Sequence, residues 1–155
     1  MIDFLQTLTL GLLLGGVYAL FASGLTLVFG VMRIVNIAHS ALIIMAAFAS
    51  YYLNQHLGID PIVSMLFNIP VMFVVGMLIY RLLLARDVES PQYTQMTVLL
   101  TFSLALMIEG LLAFLFSGTI RTVNTPYAVD ALFIGDIFIP KAQLYAGLIS
   151  LSRMA

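Results

Sequence analysis

The chain has 155 residues, of which 63% are hydrophobic and 8% charged, whereas an ordinary soluble domain carries about a quarter charged residues to cover its surface. That composition excludes a water-exposed globular domain, and a net charge of -1 excludes an electrostatic nucleic-acid binder. With no cysteine, disulfide frameworks, thiol nucleophiles and cysteine-based metal sites are excluded as well.

The apolar runs fit the bilayer. Between Asp3 and Arg33 lies an uncharged stretch from Phe4 to Met32, longer than the roughly 20 residues a spanning helix needs. It lacks the basic flank and short core of a cleaved signal peptide, so it is read as a retained helix over 5–30. The second run, from Ile34 to Ile59, is broken only by His39 and His56 and predicts a helix over 36–54, with the Asn36 side chain capping it by accepting from the backbone N–H of Ala38 or His39. Asp60-Pro61 reads as the start of a third helix over 61–84, with a carboxylate at the N-cap and proline at the first helical position, where its missing N–H costs nothing. Asn68 and Pro70 inside it predict a kink whose freed carbonyl neighbours must satisfy.

A fourth helix is expected over 94–117, its only charge being Glu109, and a partial fifth over 142–155. Between them, the loop 118–141 holds Arg121, Asn124, Pro126, Asp130, Asp136 and Pro140. Within it, Leu132-Phe133-Ile134 and Ile137-Phe138-Ile139 flank Gly135-Asp136, the pattern of a small β-hairpin. The fold expected is an all-α integral membrane protein in one domain over 1–155: a polytopic helix bundle of about four complete spans and a partial fifth, with an extracytoplasmic hairpin loop. Arg33, Arg81 and Arg86 fall in loops on one side of an alternating topology, and Arg121 and Lys141 on the other in one longer loop. Short loops weigh more in the positive-inside rule, which places the first three in the cytoplasm and the N-terminus outside.

In the first helix Gly11, Gly15, Ala19 and Ser23 recur at every fourth position, with Gly16 and Gly24 on a neighbouring row. Such a stripe lets another helix backbone approach closely, so these six residues are the expected packing surface of a helix inside a bundle. Small residues are also simply common in membrane helices, and direct substrate contact along the stripe is the lesser alternative.

The segment Gly15-Gly16-Val17-Tyr18-Ala19-Leu20, followed by Ser23-Gly24-Leu25-Thr26-Leu27-Val28-Phe29-Gly30-Val31-Met32-Arg33-Ile34-Val35-Asn36-Ile37-Ala38-His39, resembles the first two helices of bacterial ABC-importer permeases of the branched-chain amino-acid (LIV) type, H-type subunit. Weaker similarity runs through Leu100-Thr101 and Phe133-Ile134-Gly135-Asp136 to Pro140. Ser40 stands where the family usually has glycine, as does Ser103 near a position that is often glycine. The resemblance implies the N-terminal half of a permease whose cytoplasmic coupling loop, the part that docks on the ATPase, lies after the fifth helix. A truncated remnant is therefore one alternative reading, and the chain alone is expected not to couple to ATP. A fragment of an ion-coupled secondary transporter, with Glu109 as proton carrier, is another.

What the resemblance implies for partners is a second homologous permease subunit, cytoplasmic ATP-binding subunits and an extracytoplasmic solute-binding protein, all at the bacterial inner membrane with the lipid bilayer around this multi-pass chain. No Gly-x-x-x-x-Gly-Lys-Ser/Thr phosphate loop is present in the sequence, so ATP is expected on the separate subunits, no cofactor on this one, and no enzyme activity. Candidate path-lining residues are Asn36, His39, Asn68, Thr101 and Glu109. Glu109 costs roughly 2.5 to 3.5 kcal/mol on insertion scales unless it faces protein or water, and a helix-to-helix hydrogen bond is its competing role. For Asn36 and His39 the competing role is turn and cap structure, and for Asn68 an ordinary proline kink. A lone histidine without nearby Cys, His or carboxylate at ligand spacing makes no metal site.

Overall fold

The computed structural model describes residues 2–85, 92–119, 121–123, 131–134 and 137–154. Arg86, Asn124, Pro126, Asp130 and the Gly135-Asp136 turn lie outside the described residues. The elements in chain order are α1 (Ile2–Met32), α2 (His39–Leu57), α3 (Pro61–Ile79) continued by a π-type turn (Tyr80–Leu84), α4 (Tyr93–Phe116), β1 (Ala131–Ile134), β2 (Ile137–Pro140) and α5 (Lys141–Met154). They fall into two compact units, Met1–Leu27 with Asn124–Ala155, and Val28–Val123.

Among the described residues, three helical stretches are long and apolar enough to cross a bilayer: Phe4–Met32, Pro61–Leu84 and Tyr93–Phe116. α2 is not among these three. Its 19 residues end in Tyr51-Tyr52-Leu53-Asn54-Gln55-His56, and this polar last turn and a half lowers its hydropathy beside that of its neighbours.

In the unit Val28–Val123, α2 and α4 run parallel and α3 runs antiparallel to them. The alignment follows from paired contacts: Thr101 meets Val35 and Ile37 before α2 and the Phe48 ring stacks on Phe116 at 4.4 Å, while Ser64 meets Ser50 and Asn68, a turn later on α3, meets Ala46, a turn earlier on α2. The core is Ala38, Ala41, Leu104, Ala105, Ile108 and Leu112. On α4 the buried positions Thr97, Thr101, Leu104, Ala105, Ile108 and Leu112 follow the helical period and form one stripe, while Leu99, Leu106, Phe114 and Leu115 on other faces stay exposed. Ala38 and Ala41 are fully buried, and their small side chains bring the start of α2 close to α4.

The connections show local chemistry at work. α3 starts as the sequence predicts: Asp60 accepts from Ile62 N–H at 2.8 Å, with Pro61 in the first turn. α2 ends at Gly58, whose φ of +65° is open to glycine without steric cost; there the Gly58 N–H reaches the Asn54 carbonyl at 2.9 Å and the Ile59 N–H the Leu53 carbonyl at 3.4 Å. The start of α2 departs from expectation. The helix begins at His39, not at 36, its N-cap is Ala38 without a side-chain bond, and Asn36 contributes its backbone carbonyl, which accepts from His39 N–H at 3.3 Å. The physical reason is that Val35 and Ile37 are held by Thr101 from α4, which keeps this stretch out of the helix. α3 is continuous through Pro70.

In the other unit, β1 and β2 pair antiparallel in the register Ala131↔Pro140 to Ile134↔Ile137, and β2 leads directly into α5. α5 lies against α1 along Leu13 and Val17. Gly147 is the point of closest approach, since a Cβ there would sit 2.6 Å from Leu13 Cδ2 and 3.3 Å from its Cα.

Candidate functional site

The candidate residues do not converge on one point; the structure distributes them over three places. Thr101 reaches the junction before α2, where it holds the backbone on either side of Asn36, shortly before His39 begins the helix. The Thr101 hydroxyl, 1% exposed, accepts from Ile37 N–H at 3.2 Å and lies within donating distance of the Val35 carbonyl at 3.0 Å and of its own-turn Thr97 carbonyl at 2.7 Å. One hydroxyl thus satisfies backbone groups that, in a non-helical stretch beside a membrane-spanning helix, would otherwise go unpaired at a cost of several kcal/mol each. The junction also follows Arg33, whose φ of 54° places a non-glycine residue in the left-handed region, at a cost of roughly 1–2 kcal/mol. This turn ends α1 and is locked from across the unit.

Asn68 forms the second place. Its amide donates to Ser50 Oγ at 2.6 Å and to the Ala46 carbonyl at 3.4 Å, and the Ser50 hydroxyl lies 3.0 Å from that of fully buried Ser64, which in turn donates to the Pro61 carbonyl at 2.7 Å. The group ties α3 to α2. Asn68 also borders an apolar cavity of about 540 Å³ between α2, α3 and α4, with Phe48, Phe67, Leu112 and Phe116 among its walls.

Glu109 forms the third. It is exposed on α4 and lines an open cavity of about 410 Å³ with Arg121, Ile44, Phe48, Leu112 and Ala113. Counted along α4 at 1.5 Å per residue, it lies about 12 Å from Thr101. Arg121, 3.5 Å from Tyr51 Oη, has its guanidinium carbon 5.8 Å from the centre of the Tyr51 ring, within cation–π reach; Tyr51 Oη in turn accepts from Gln55 Nε2 at 3.1 Å. Among the described residues, Glu109 and Arg121 form no ion pair with one another. A carboxyl and a guanidinium group therefore line one mostly apolar space, together with Gly118 and Thr119.

Sequence reasoning missed Arg121, Tyr51, Ser50 and Phe48. Arg121 carried a weak signal: it is the first charge after the fourth apolar run, and so stands at a helix end beside whatever that helix packs against. Of the six small residues expected to pack on α1, Gly16 is buried, Ala19 and Gly24 are half-buried and Ser23 is exposed, its hydroxyl turned back to the Leu20 carbonyl at 2.7 Å. Within its own unit the Gly11–Gly15 edge is open: a Cβ at either residue would meet nothing within 4 Å. The α5 contact uses Leu13 and Val17 instead.

Helices long and apolar enough to cross a bilayer, with their buried hydroxyls satisfied, are those of a membrane protein. The family described as the permease component of the branched-chain amino acid transport system matches residues 7–152, and the chain belongs to that family. No curated protein and no solved structure matches it.

Proposed function

We propose that this chain is the membrane-spanning permease subunit of an ABC importer for branched-chain or related amino acids, multi-pass in the bacterial inner membrane, and that it forms part of the translocation path. The observation that carries this reading is the family match over residues 7–152, set on helices apolar enough to cross the bilayer. In this reading α2 crosses beside α3 and α4, since it shares their core. A second homologous permease subunit pairs with it, cytoplasmic subunits bind ATP, and an extracytoplasmic binding protein delivers the solute. Asn68, Glu109 and the Thr101 junction with Asn36 and His39 belong to the path or hold its walls, and the open Gly11–Gly15 edge takes the homologous subunit. The Glu109 end of the bundle, which also carries Asp60, Gln55 and Arg121, faces the extracytoplasmic side, and the end carrying Arg33 and Arg81 faces the cytoplasm.

The test is deletion of the coding region from its host, with uptake of labelled leucine measured in the presence of ATP synthesis and after its collapse. Loss of ATP-dependent uptake, restored by re-expression, supports the reading. Unchanged uptake overturns it in favour of a non-transporting remnant, and lost uptake that followed the proton gradient without any ATPase overturns it in favour of a secondary transporter.

A further inference from the structure

The cavity walled by α2, α3 and α4 differs in kind from the one that holds Glu109 and Arg121. α2 contributes Phe48 and Tyr52 to its walls, α3 Phe67 and Asn68, and α4 Leu111 and Phe116. Among the described residues its lining holds no carboxylate, ammonium, guanidinium or imidazole group, so an ion or a zwitterion entering it would lose its hydration without gaining a counter-charge. Its volume of about 540 Å³ lies in the range of roughly 300–1,000 Å³ usual for small-molecule sites. An α-helix about 10 Å across would occupy roughly 900 Å³ over the distance of about 12 Å that α2 covers from Met45 to Leu53. The space suits an occupant thinner than a helix.

Asn68 sets what that occupant must carry. Its Nδ2 donates to Ser50 Oγ at 2.6 Å and to the Ala46 carbonyl at 3.4 Å. The flipped amide would put Asn68 Oδ1 against the Ala46 carbonyl, oxygen against oxygen, so the contacts fix which arm is which. Ala46 and Ser50 line a separate cavity of about 290 Å³ and not the larger one. With its N–H groups committed there, the amide has Oδ1 left for the larger cavity, and among the described residues no donor reaches it. An acyl chain of the surrounding lipid would fill the apolar part and leave this acceptor unpaired, whereas a ligand with one donor satisfies it. Four aromatic rings, those of Phe48, Tyr52, Phe67 and Phe116, border the same space and offer faces and edges to a further ring.

We propose that this cavity binds a neutral, bilayer-soluble aromatic molecule with one hydrogen-bond donor, an alkylphenol being the simplest form. The ring packs among Phe48, Phe67 and Phe116, and the hydroxyl donates to Asn68 Oδ1. The site needs only the α2–α3–α4 bundle and not the permease reading, and its lack of charge sets it apart from a site for a charged solute.

The test is equilibrium binding to the full chain in phosphatidylcholine nanodiscs, with uptake by empty nanodiscs subtracted. The probes are 4-propylphenol and 4-propylanisole, in which a methyl group replaces the hydroxyl proton, with leucine as competitor. The unaltered chain binds the phenol about tenfold more tightly than the anisole, the size of one hydrogen bond to an otherwise unpaired acceptor, and leucine does not displace it. Asn68→Leu abolishes this preference by weakening the phenol about tenfold while the anisole is little changed. Ser50→Ala removes the partner of Asn68 on α2 but not the Asn68 oxygen, and keeps the preference. An equal loss in Ser50→Ala would show that the α2–α3 tie governs binding and would overturn the proposal. Ala49→Leu adds bulk to the cavity wall and weakens both aromatic probes by about tenfold; it serves where Asn68→Leu does not fold, and unchanged binding in it would place the probes elsewhere. Equal affinity of the unaltered chain for phenol and anisole would assign the cavity to lipid acyl chains, and displacement by leucine would assign it to a charged solute; either result sinks the proposal.

Discussion

α1 and α4 are both long, apolar and free of interior basic residues, yet they are built for different surroundings. On α4 a stripe of two threonines and four apolar residues is buried against its neighbours. On α1, Phe4, Leu12, Leu27 and Val31 are at least 67% exposed, and the Gly11–Gly15 edge meets nothing within its own unit. Hydropathy does not distinguish the two, because lipid and protein interior are equally apolar. What separates them is which helix carries hydroxyls and alanines at the helical period facing a partner that exists within the same unit. Among the described residues, Ala38, Ala41 and Ala105 lie in the α2–α4 core and Gly147 lies against Leu13, whereas Gly11 and Gly15 on α1 have open space beside them.

The comparison breaks most readily at Thr101. Thr101→Val keeps the shape but strands the Ile37 N–H and the Val35 carbonyl, and is expected to lower stability by about 1–3 kcal/mol, while Thr101→Ser costs less than half as much; thermal unfolding in detergent distinguishes them. On the α1 side, Gly147→Ala forces a Cβ to 2.6 Å from Leu13 Cδ2 and 3.2 Å from Leu13 Cβ, and is expected to cost about 1–2 kcal/mol as the two helices shift apart. An unchanged melting temperature for this variant would show that the close approach is slack.

Asp60→Ala removes the α3 cap and is expected to cost about 1 kcal/mol in the same assay. Smaller still is the coupling between Asn68 and Ser50, bonded at 2.6 Å. A double-mutant cycle with alanine at both positions is expected to return about 0.6 kcal/mol, the usual worth of a hydrogen bond between membrane helices. Zero coupling would mean that the unfolded chain in the membrane satisfies both groups equally well.

At the bottom of the scale, Gly15→Ala sharpens the contrast with Gly147. With open space around it, it is expected to leave the isolated chain unchanged or to stabilise it by no more than about 1 kcal/mol through helix propensity. Gly15→Leu, equally tolerated in the isolated chain, is expected to lower the yield of complex with the second permease subunit on co-purification, whereas Leu12→Ile is not. Equal yields for both would show that the stripe carries no partner.

The class of the molecule, its helix-forming runs and its family were legible from the sequence, since each depends on composition or on residues adjacent in the chain. So was the Asp60-Pro61 start, where cap and proline act within one turn. Asn68 was also marked as a polar residue needing neighbours, though not which ones. The tertiary structure alone decided that α2 begins at His39 and not at Asn36, because the hydroxyl that holds Val35 and Ile37 comes from Thr101, more than sixty positions away. It alone decided that Glu109 shares a cavity with Arg121, and that Gly147, with Leu13 against it, is the tight contact while Gly15 stays open. Local patterns encode helix, cap and solvent; which faces meet depends on how parallel and antiparallel helices align, and that alignment is set by side chains distant in sequence whose buried polar groups must find each other.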